Sequence, residues 1–271
     1  MPPSVILECR EKSTLYLKPD SVLGDKVVLY VHHTFDNKIT KSVKTQLDEF
    51  DRLGWKIVLV DSSDVNLEWP DYIHALIQKP NVGGDFGGRA LAMYMIPEIR
   101  SAKKVFMPNS AFVGPFFSME KMLQDFENSD VDFYGITDSI EIDWHIQSYW
   151  FGFSNRILED PRVIQFWDNV SHVEDKVQFV IDYEIGFSKF AKEIGMSIDV
   201  AFKFQDVGPV ILSDPGLHYW QKLLDMGRPI IRRRYIHWLG KDQILEKISE
   251  YGQDAIDMVN EASTETISAI N

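Results

Sequence analysis

The chain has 271 residues, 45% of them hydrophobic and 25% charged, a globular composition that leaves out collagenous, low-complexity and largely disordered chains. Its 41 acidic against 28 basic side chains give a formal charge of -13, so a nucleic-acid surface would have to be a basic patch on an acidic body, and no nucleic-acid partner is expected. Cys9 is the only cysteine, which excludes an intramolecular disulfide framework and a cysteine-based zinc cluster and fits a reducing cytoplasm. No apolar run approaches the roughly 20 residues that span a bilayer, and Met1-Pro2-Pro3 opens no signal-peptide pattern, so neither secretion nor membrane spanning is expected.

Val27 to Val31 is a continuous β-branched and aromatic run of the kind found in a sheet buried on both faces. Thr40 can cap a helix whose Val43, Leu47 and Phe50 share one side and which ends at Gly54. Lys56 to Val60 is a second apolar strand, so strand, helix and strand read as a right-handed βαβ unit and a parallel sheet. After the glycine-rich Asn81 to Arg89 come a helix carrying Leu91, Tyr94 and Met95, a strand at Lys104 to Met107, and a helix after Ser118 with Met119, Met122, Leu123 and Phe126 as its apolar stripe. Strands are expected at Val131 to Ile136 and Ser148 to Phe153, helices after Pro161 and around Phe187 to Ile194, and a late strand at Ile198 to Phe202. The tail from Lys241 has a polar helical pattern. The pattern predicts an α/β domain with a mostly parallel sheet flanked by helices over residues 1–240, and a helical tail over 241–271.

In an open α/β sheet the ligand crevice lies beyond the carboxyl ends of the parallel strands. His32, Asp61, Ser62, the loop around Asp85, Asn109 and Asp138 fall at or near those ends. Singly each reads as a solvated loop or a cap; jointly they point to a site. The Asn81 to Arg89 loop, with Gly83 and Gly84, can cradle a phosphate with backbone N–H groups or simply turn into a helix, and it has neither a dinucleotide fingerprint nor a P-loop lysine. Glu184, placed at a helix start, can be an ionised general base or only a stabiliser of its own helix. Arg232, Arg233 and Arg234 can clamp a diphosphate or lie on a solvated face. His145, His218 and Asp138 show no tight metal-ligand spacing.

Taken in order, Asn81-Val82-Gly83-Gly84-Asp85-Phe86-Gly87, Asn109 with Gly114-Pro115, Thr137-Asp138-Ser139, His145-Ile146-Gln147-Ser148-Tyr149 and Tyr183-Glu184-Ile185-Gly186 resemble the rhamnan synthesis protein F family. Trp220 to Arg233, with Gly227-Arg228-Pro229-Ile230-Ile231, resembles that family's closing motif, and the likeness runs over roughly residues 27 to 235. The resemblance implies a GT-A-like (Rossmann-like) glycosyltransferase of bacterial surface polysaccharide assembly. Val60-Asp61-Ser62-Ser63-Asp64 and Asn81 to Arg89 also resemble the nucleoside-binding strand end and the following helix of inverting family 2 glycosyltransferases, in which an acid before an amphipathic, glycine-ended helix is the base; Glu184 occupies the equivalent place. Where GT-A enzymes carry an Asp-x-Asp metal motif this chain has Asn109-Ser110-Ala111, so no metal ligands are assigned and a divalent Mg²⁺ or Mn²⁺ is not favoured.

The resemblance thus implies hexosyl transfer, of rhamnose by the family's name, from a dTDP- or UDP-linked nucleotide sugar to a glycan or lipid-linked glycan, with inversion. It assigns Glu184 to catalysis, His32, Asp61, Asn81, Gly83, Asp85, Arg89, Asn109, Arg232 and Arg233 to the donor, and Asp138, His145, Gln147 and Tyr149 to the acceptor. It places the protein in the cytoplasm or at the inner membrane face, beside other polysaccharide-assembly enzymes. A galactosyl or other hexosyl transferase, and a catalytically silent glycan-binding or scaffold module on the same fold, are the competing expectations.

Overall fold

Residues 3–18, 23–34, 38–209 and 214–264 are described in a computed structural model of the chain. Its strands are β1 (Thr14–Leu17), β2 (Lys26–His32), β3 (Lys56–Asp61), β4 (Ala75–Gln78), β5 (Lys104–Phe106), β6 (Phe112–Val113), β7 (Phe133–Ser139), β8 (His145–Ile146), β9 (Phe151–Ser154), β10 (Ile198–Phe202) and β11 (Ile231–Arg232). Among the described residues nine of them form one sheet in the order β1-β4-β3-β2-β5-β9-β7-β10, with β8 on β7. Strands β2, β3, β4 and β5 run parallel, as do β7 and β10, while β9 is antiparallel to both its neighbours and β1 to β4. This is the α/β, mostly parallel sheet flanked by helices that the sequence predicts.

The apolar runs of β2 and β3 are continuous because both faces are covered. Val27, Leu29, Val31, Val58 and Val60 face one layer, with α1 (Val5–Cys9) and α3 (Gly84–Met95). Val28, Tyr30, Ile57 and Leu59 face the other, with Val43, Leu47 and Phe50 of α2 (Lys41–Arg52) and Met122, Leu123 and Phe126 of α4 (Glu120–Asn128). Thr40 caps α2, its Oγ1 accepting from Val43 N at 3.3 Å, and Gly54 follows with φ 78°. The expected strand 131–136 begins and ends later, at Phe133–Ser139. The expected strand 148–153 begins only at Phe151, because Gln147 and Ser148 turn to carry site side chains. Strands β1 and β4 were not expected: β4 is four residues long and its signal is diluted by Gln78 and Lys79.

The tail helices Lys241–Ile248 and Gln253–Ser263 share a third apolar cluster with Val113, Phe116, Trp220 and Ile231. They also close over the start of α2: Lys41 Nζ meets Asp254 at 2.7 Å and Asp257 at 2.9 Å, and the Lys41 amide donates to Glu261 at 2.7 Å. Among the described residues no helix is long and apolar enough to cross a membrane.

On β9, Gly152 lets the sheet meet α4. A Cβ there would lie 2.4 Å from Phe126 Cζ, and that ring is held among Trp55, Phe106 and Tyr134. Gly152→Ala should therefore lower stability by about 1–3 kcal/mol through overpacking. An unchanged midpoint in urea unfolding would mean that the aromatic cluster yields.

Candidate active site

The paired ends of β2 and β3 bring His32 beside Asp61. His32 Nδ1 lies 3.2 Å from Asp61 Oδ1, which also accepts from Ser63 N at 3.0 Å and Ser63 Oγ at 2.6 Å. Burial lowers the imidazole's pKa, with Asp61 offsetting part of that. Burial pushes the Asp61 carboxyl up, but the bonds from His32 and Ser63 outweigh it and the net direction is down. The pair is thus a neutral imidazole donating to an ionised carboxylate, whose Oδ2 is buried without a partner.

Lys79 follows β4, donating to Ser62 Oγ at 3.3 Å, Pro80 O at 2.6 Å and Val82 O at 2.9 Å. Burial brings its pKa down to about 8. The loop it pins carries Asn81, whose Nδ2 reaches His33 Nε2 at 3.3 Å. The glycines of this loop serve packing and turning. A Cβ on Gly83 would lie 2.3 Å from Val5 Cγ2, and those on Gly87 and Gly88 would press on Val5 and on Val31; Gly83 has φ 78° and donates its N–H to His172 Nδ1 at 3.1 Å. Of the two readings of this loop, the turn into a helix accounts for the glycines. Asp85 stands on the first turn of α3 and accepts from Asn109 Nδ2.

Asn109 sits just past β5, bridged to Val31. Arg233 Nη2 donates to Ser110 O at 2.8 Å, and Arg233 N donates to Ala111 O at 3.0 Å. A guanidinium therefore lies against the Asn109-Ser110-Ala111 turn. The turn itself supplies no carboxylate, and the one beside it, Asp85, is engaged by Asn109 Nδ2. Among the described residues there is no cluster of three His, Cys, Asp or Glu side chains able to hold one.

Glu184 is not at a helix start. The segment Lys176–Phe179, a π-helical turn Val180–Ile185 and the helix Gly186–Glu193 are continuous, and the N-cap is Asp175. The wide turn aims Glu184 back at the 145–148 segment. Its Oε2 accepts from Ser148 N at 2.9 Å and from Ser148 Oγ, and its Oε1 is 3.1 Å from His145 Nε2. His145 Nδ1 meets Asp143 O at 2.8 Å; a carbonyl only accepts, so Nδ1 carries a hydrogen. Burial opposes both charges, yet Glu184 lifts the His145 pKa above its usual value, while His145, Ser148 and Arg232 hold the Glu184 carboxyl below its own. The two form an imidazolium–carboxylate pair, set by side chains rather than by a helix dipole.

The arginine run is not a solvated face. It spans the junction of β11 with the helix Arg233–Leu239, and Asp214 gathers it. Asp214 Oδ2 accepts from Arg232 at 3.1 Å, Arg234 at 3.0 Å and Tyr235 Oη at 2.6 Å; its Oδ1 accepts from Gln147 Nε2 at 3.2 Å and Gly216 N at 2.9 Å. Burial would raise that carboxyl's pKa, but Arg232, Tyr235 and Arg234 hold it far below the carboxylate range. Arg232 also lies 5.4 Å from the Tyr149 ring centre.

Three assigned residues stand elsewhere than expected. Arg89 has no exposed surface: its Nη2 donates to Met107 O at 2.9 Å and Ser148 O at 3.0 Å, and its guanidinium lies 4.5 Å from the Phe151 ring centre. It is a strut beneath the site. Tyr149 is 2% exposed, under Arg232 and bonded to Thr137 Oγ1, so it supports rather than lines the crevice. Asp138 turns away from Glu184, accepting from Trp144 Nε1 at 2.8 Å and Phe204 N at 2.7 Å. Asp214, Ser148 and Ser110 went unforeseen; Asp214-Pro215 reads in sequence only as a helix cap, which it also is.

The mostly parallel sheet flanked by helices defines the class, an α/β protein with polar and charged side chains gathered beyond the carboxyl ends of its parallel strands. The chain belongs to the rhamnan synthesis protein F family, which matches residues 58–270. It is 24% identical over 200 residues to "Uncharacterized protein y4gN" of Sinorhizobium fredii, covering 69% of this chain and 50% of that protein. It is 25% identical over 129 residues to "Virulence protein VirA" of Vibrio anguillarum, covering 46% of this chain and 41% of that one. The chain thus spans about half the length of the curated relatives it matches. Among solved structures, "a glycosyltransferase involved in the glycosylation of the major capsid of PBCV-1" is similar with a TM-score of 0.39 and 12% identity, over 65% of this chain and 81% of that one.

The ion pair carries a pH signature. Its stabilisation is full between the ordinary carboxyl and imidazole values of 4.5 and 6.5. It is lost as pH falls through the depressed Glu184 value and as pH rises through the elevated His145 value. His145→Gln should cost about 1.5–3 kcal/mol inside that window, the scale of a hydrogen bond to a charged group, and less on either side. Unfolding curves from pH 4 to 9 that keep one constant gap between wild type and variant would dissolve the pair.

Proposed function

We propose that the chain is a glycosyltransferase of bacterial polysaccharide synthesis, moving a hexose, rhamnose by the family's name, from a dTDP- or UDP-linked donor to a glycan or lipid-linked glycan acceptor with inversion. Family membership supports the class. The observation that carries the chemistry is the meeting of Glu184, ionised beside His145, with Arg232, fixed by Asp214, beyond the carboxyl ends of the parallel strands. Glu184 Oε1 takes the proton of an acceptor hydroxyl as that oxygen forms a bond to the anomeric carbon; the bond from that carbon to the diphosphate oxygen breaks, and the nucleoside diphosphate leaves from the opposite face with the electron pair. Arg232 and Arg233 meet the charge that develops on it, guanidinium groups being matched to phosphate oxygens and charged at any working pH. His32, Asp61, Asn81, Asp85 and Asn109 receive the nucleoside side of the donor. The reaction belongs at the cytoplasmic face of the membrane, beside the enzymes that supply and extend the acceptor.

A second reading, a glycan-binding module that does no chemistry, is favoured by the engagement of both Glu184 oxygens by Ser148 and His145, because a carboxylate already accepting three hydrogen bonds is a weak base. A panel of dTDP- and UDP-hexoses, read as nucleotide release, separates the two and also separates rhamnosyl from galactosyl transfer. In the first reading Glu184→Gln lowers turnover by about 10²-fold or more with donor affinity nearly unchanged; normal turnover in that variant would remove Glu184 from the reaction.

The Asn109-Ser110-Ala111 turn leads to a further expectation. Transfer should persist in EDTA, and Arg232→Ala should weaken donor binding in calorimetry by roughly 10-fold or more, the scale of a lost charge-assisted bond. Activity abolished by EDTA and restored by Mn²⁺ would overturn this assignment of charge compensation to the arginines.

A further inference from the structure

A separate cleft of about 620 Å³ opens along the outer edge strand β10, lined by Trp144, Lys192, Asp199, Lys203 and Gln205, with Asp138 at its base. This volume lies in the range of small-ligand sites. The Trp144 indole is held in place by its Nε1 bond to Asp138, at 2.8 Å, while Phe204 N donates to the other oxygen of that carboxylate at 2.7 Å. Lys192 Nζ stands 3.6 Å from the centre of the indole. Lys203 pairs with Asp199 at 3.0 Å. The loop that delivers Trp144 is strained: Ile142, β-branched, has φ 69° and is 67% exposed, a backbone state that is unfavourable for such a residue and concentrates at functional loops. The next residue after Trp144 is His145, which pairs with Glu184 on the other side of β8.

We propose that this cleft is a saccharide subsite, which holds sugar units of the acceptor chain remote from the reacting hydroxyl. The inference rests on the glycosyltransferase reading for its place in the reaction, and on the cleft's own chemistry for its ligand. Two ammonium groups, Lys192 and Lys203, are balanced by two carboxylates, Asp138 and Asp199, so the cleft has no excess charge to meet a nucleoside diphosphate. A flat indole matched to the C–H face of a pyranose, ringed by ammonium, carboxylate and amide side chains matched to its hydroxyls, fits a neutral sugar. Lys192 is exposed on a flexible stem, so its ammonium can move from the ring face to a hydroxyl as a pyranose takes the face. The charged Asp199 on the edge strand, with Lys203 just past its end, disfavours pairing with an added peptide strand.

The test uses the full chain and α-linked rhamno-oligosaccharides of one to six units, followed by isothermal calorimetry and by tryptophan fluorescence. Affinity should rise at least 10-fold from one unit to four. Trp144→Leu should abolish that gain and Trp144→Phe keep part of it, since Phe retains an aromatic face but not the bond to Asp138. Trp144→Phe also serves if the Leu variant does not fold, as judged by its melting curve. No gain with length, a gain unchanged in both Trp144 variants, or displacement of the oligosaccharide from this cleft by UDP or dTDP would each overturn the proposal. Length-dependent binding through Trp144 with no nucleotide released from any donor would instead overturn the catalytic reading and leave the subsite standing. Turnover with length dependence indifferent to Trp144 would do the reverse.

Discussion

A guanidinium with no exposed surface must find partners inside the protein, and Arg89 finds two backbone carbonyls that belong to different parts of the site. Met107 O lies at the end of β5, just before the Asn109 turn; Ser148 O belongs to the residue whose N–H and hydroxyl hold Glu184. The same nitrogen thus ties the turn that faces Arg233 to the anchor of the carboxylate. Burial lowers the Arg89 pKa to about 10, which still leaves it charged near neutrality, and the fields of Asp85 and Glu184 offset part of that burial. Packed between the Phe86 and Phe151 rings, the group is held in place by shape as well as by hydrogen bonds. Its Nε and Nη1 have no hydrogen-bond partner among the described residues, so the two aromatic rings, not further hydrogen bonds, hold the rest of the group.

The strands and helices that build the two covered faces were legible because their apolar runs are long: Val27 to Val31, Lys56 to Val60, and the 43-47-50 stripe of α2 ending at Gly54. Among the short strands, β5 and β9 were legible from their apolar and aromatic runs, whereas β1, β4, β6, β8 and β11, with two to four residues each, carry no such run long enough to register. The site was legible as a set of strand ends, because the parallel topology sends His32, Asp61 and Asn109 to one edge whatever their partners. Its internal pairing was not. The expected helix start at Glu184 is instead a π-turn within a longer helix, which has no sequence signature distinct from an ordinary helix, and the charge of Glu184 is set by residues near position 145 that only the fold brings close. Arg89 looked like a phosphate-facing residue because it follows a glycine-rich loop, yet α3 turns it inward under the sheet.

Asp214 shows how a residue with an ordinary local role acquires a larger one. As an N-cap it accepts from Gly216 N, which any aspartate before a proline-started helix could do. Its other bonds come from Gln147 on the segment before β9, from Arg232 on β11 and from Arg234 and Tyr235 on the helix after it. Those pieces have no contiguity in sequence, so the hub exists only once β11 pairs with β6 and sets the arginines beside the Tyr149 ring.

The resulting balance of charge is what gives the crevice a chemical direction. Arg232 and Arg234 both bond the one carboxylate of Asp214, while the wholly buried Arg228 sets its Nη1 3.5 Å from Tyr149 Oη and leaves Nε and Nη2 without a hydrogen-bond partner among the described residues. Arg232 interacts with two carboxylates, Asp214 and Glu184, so the guanidinium groups of Arg228, Arg232 and Arg234 outnumber those acids by one in a chain whose formal charge is -13. In a buried setting that excess acts over longer range than it would in water. Glu184 lies in the same field: with His145 and Ser148, Arg232 helps to keep it ionised, and the lowered pKa that results makes it a weaker proton acceptor than a free carboxylate.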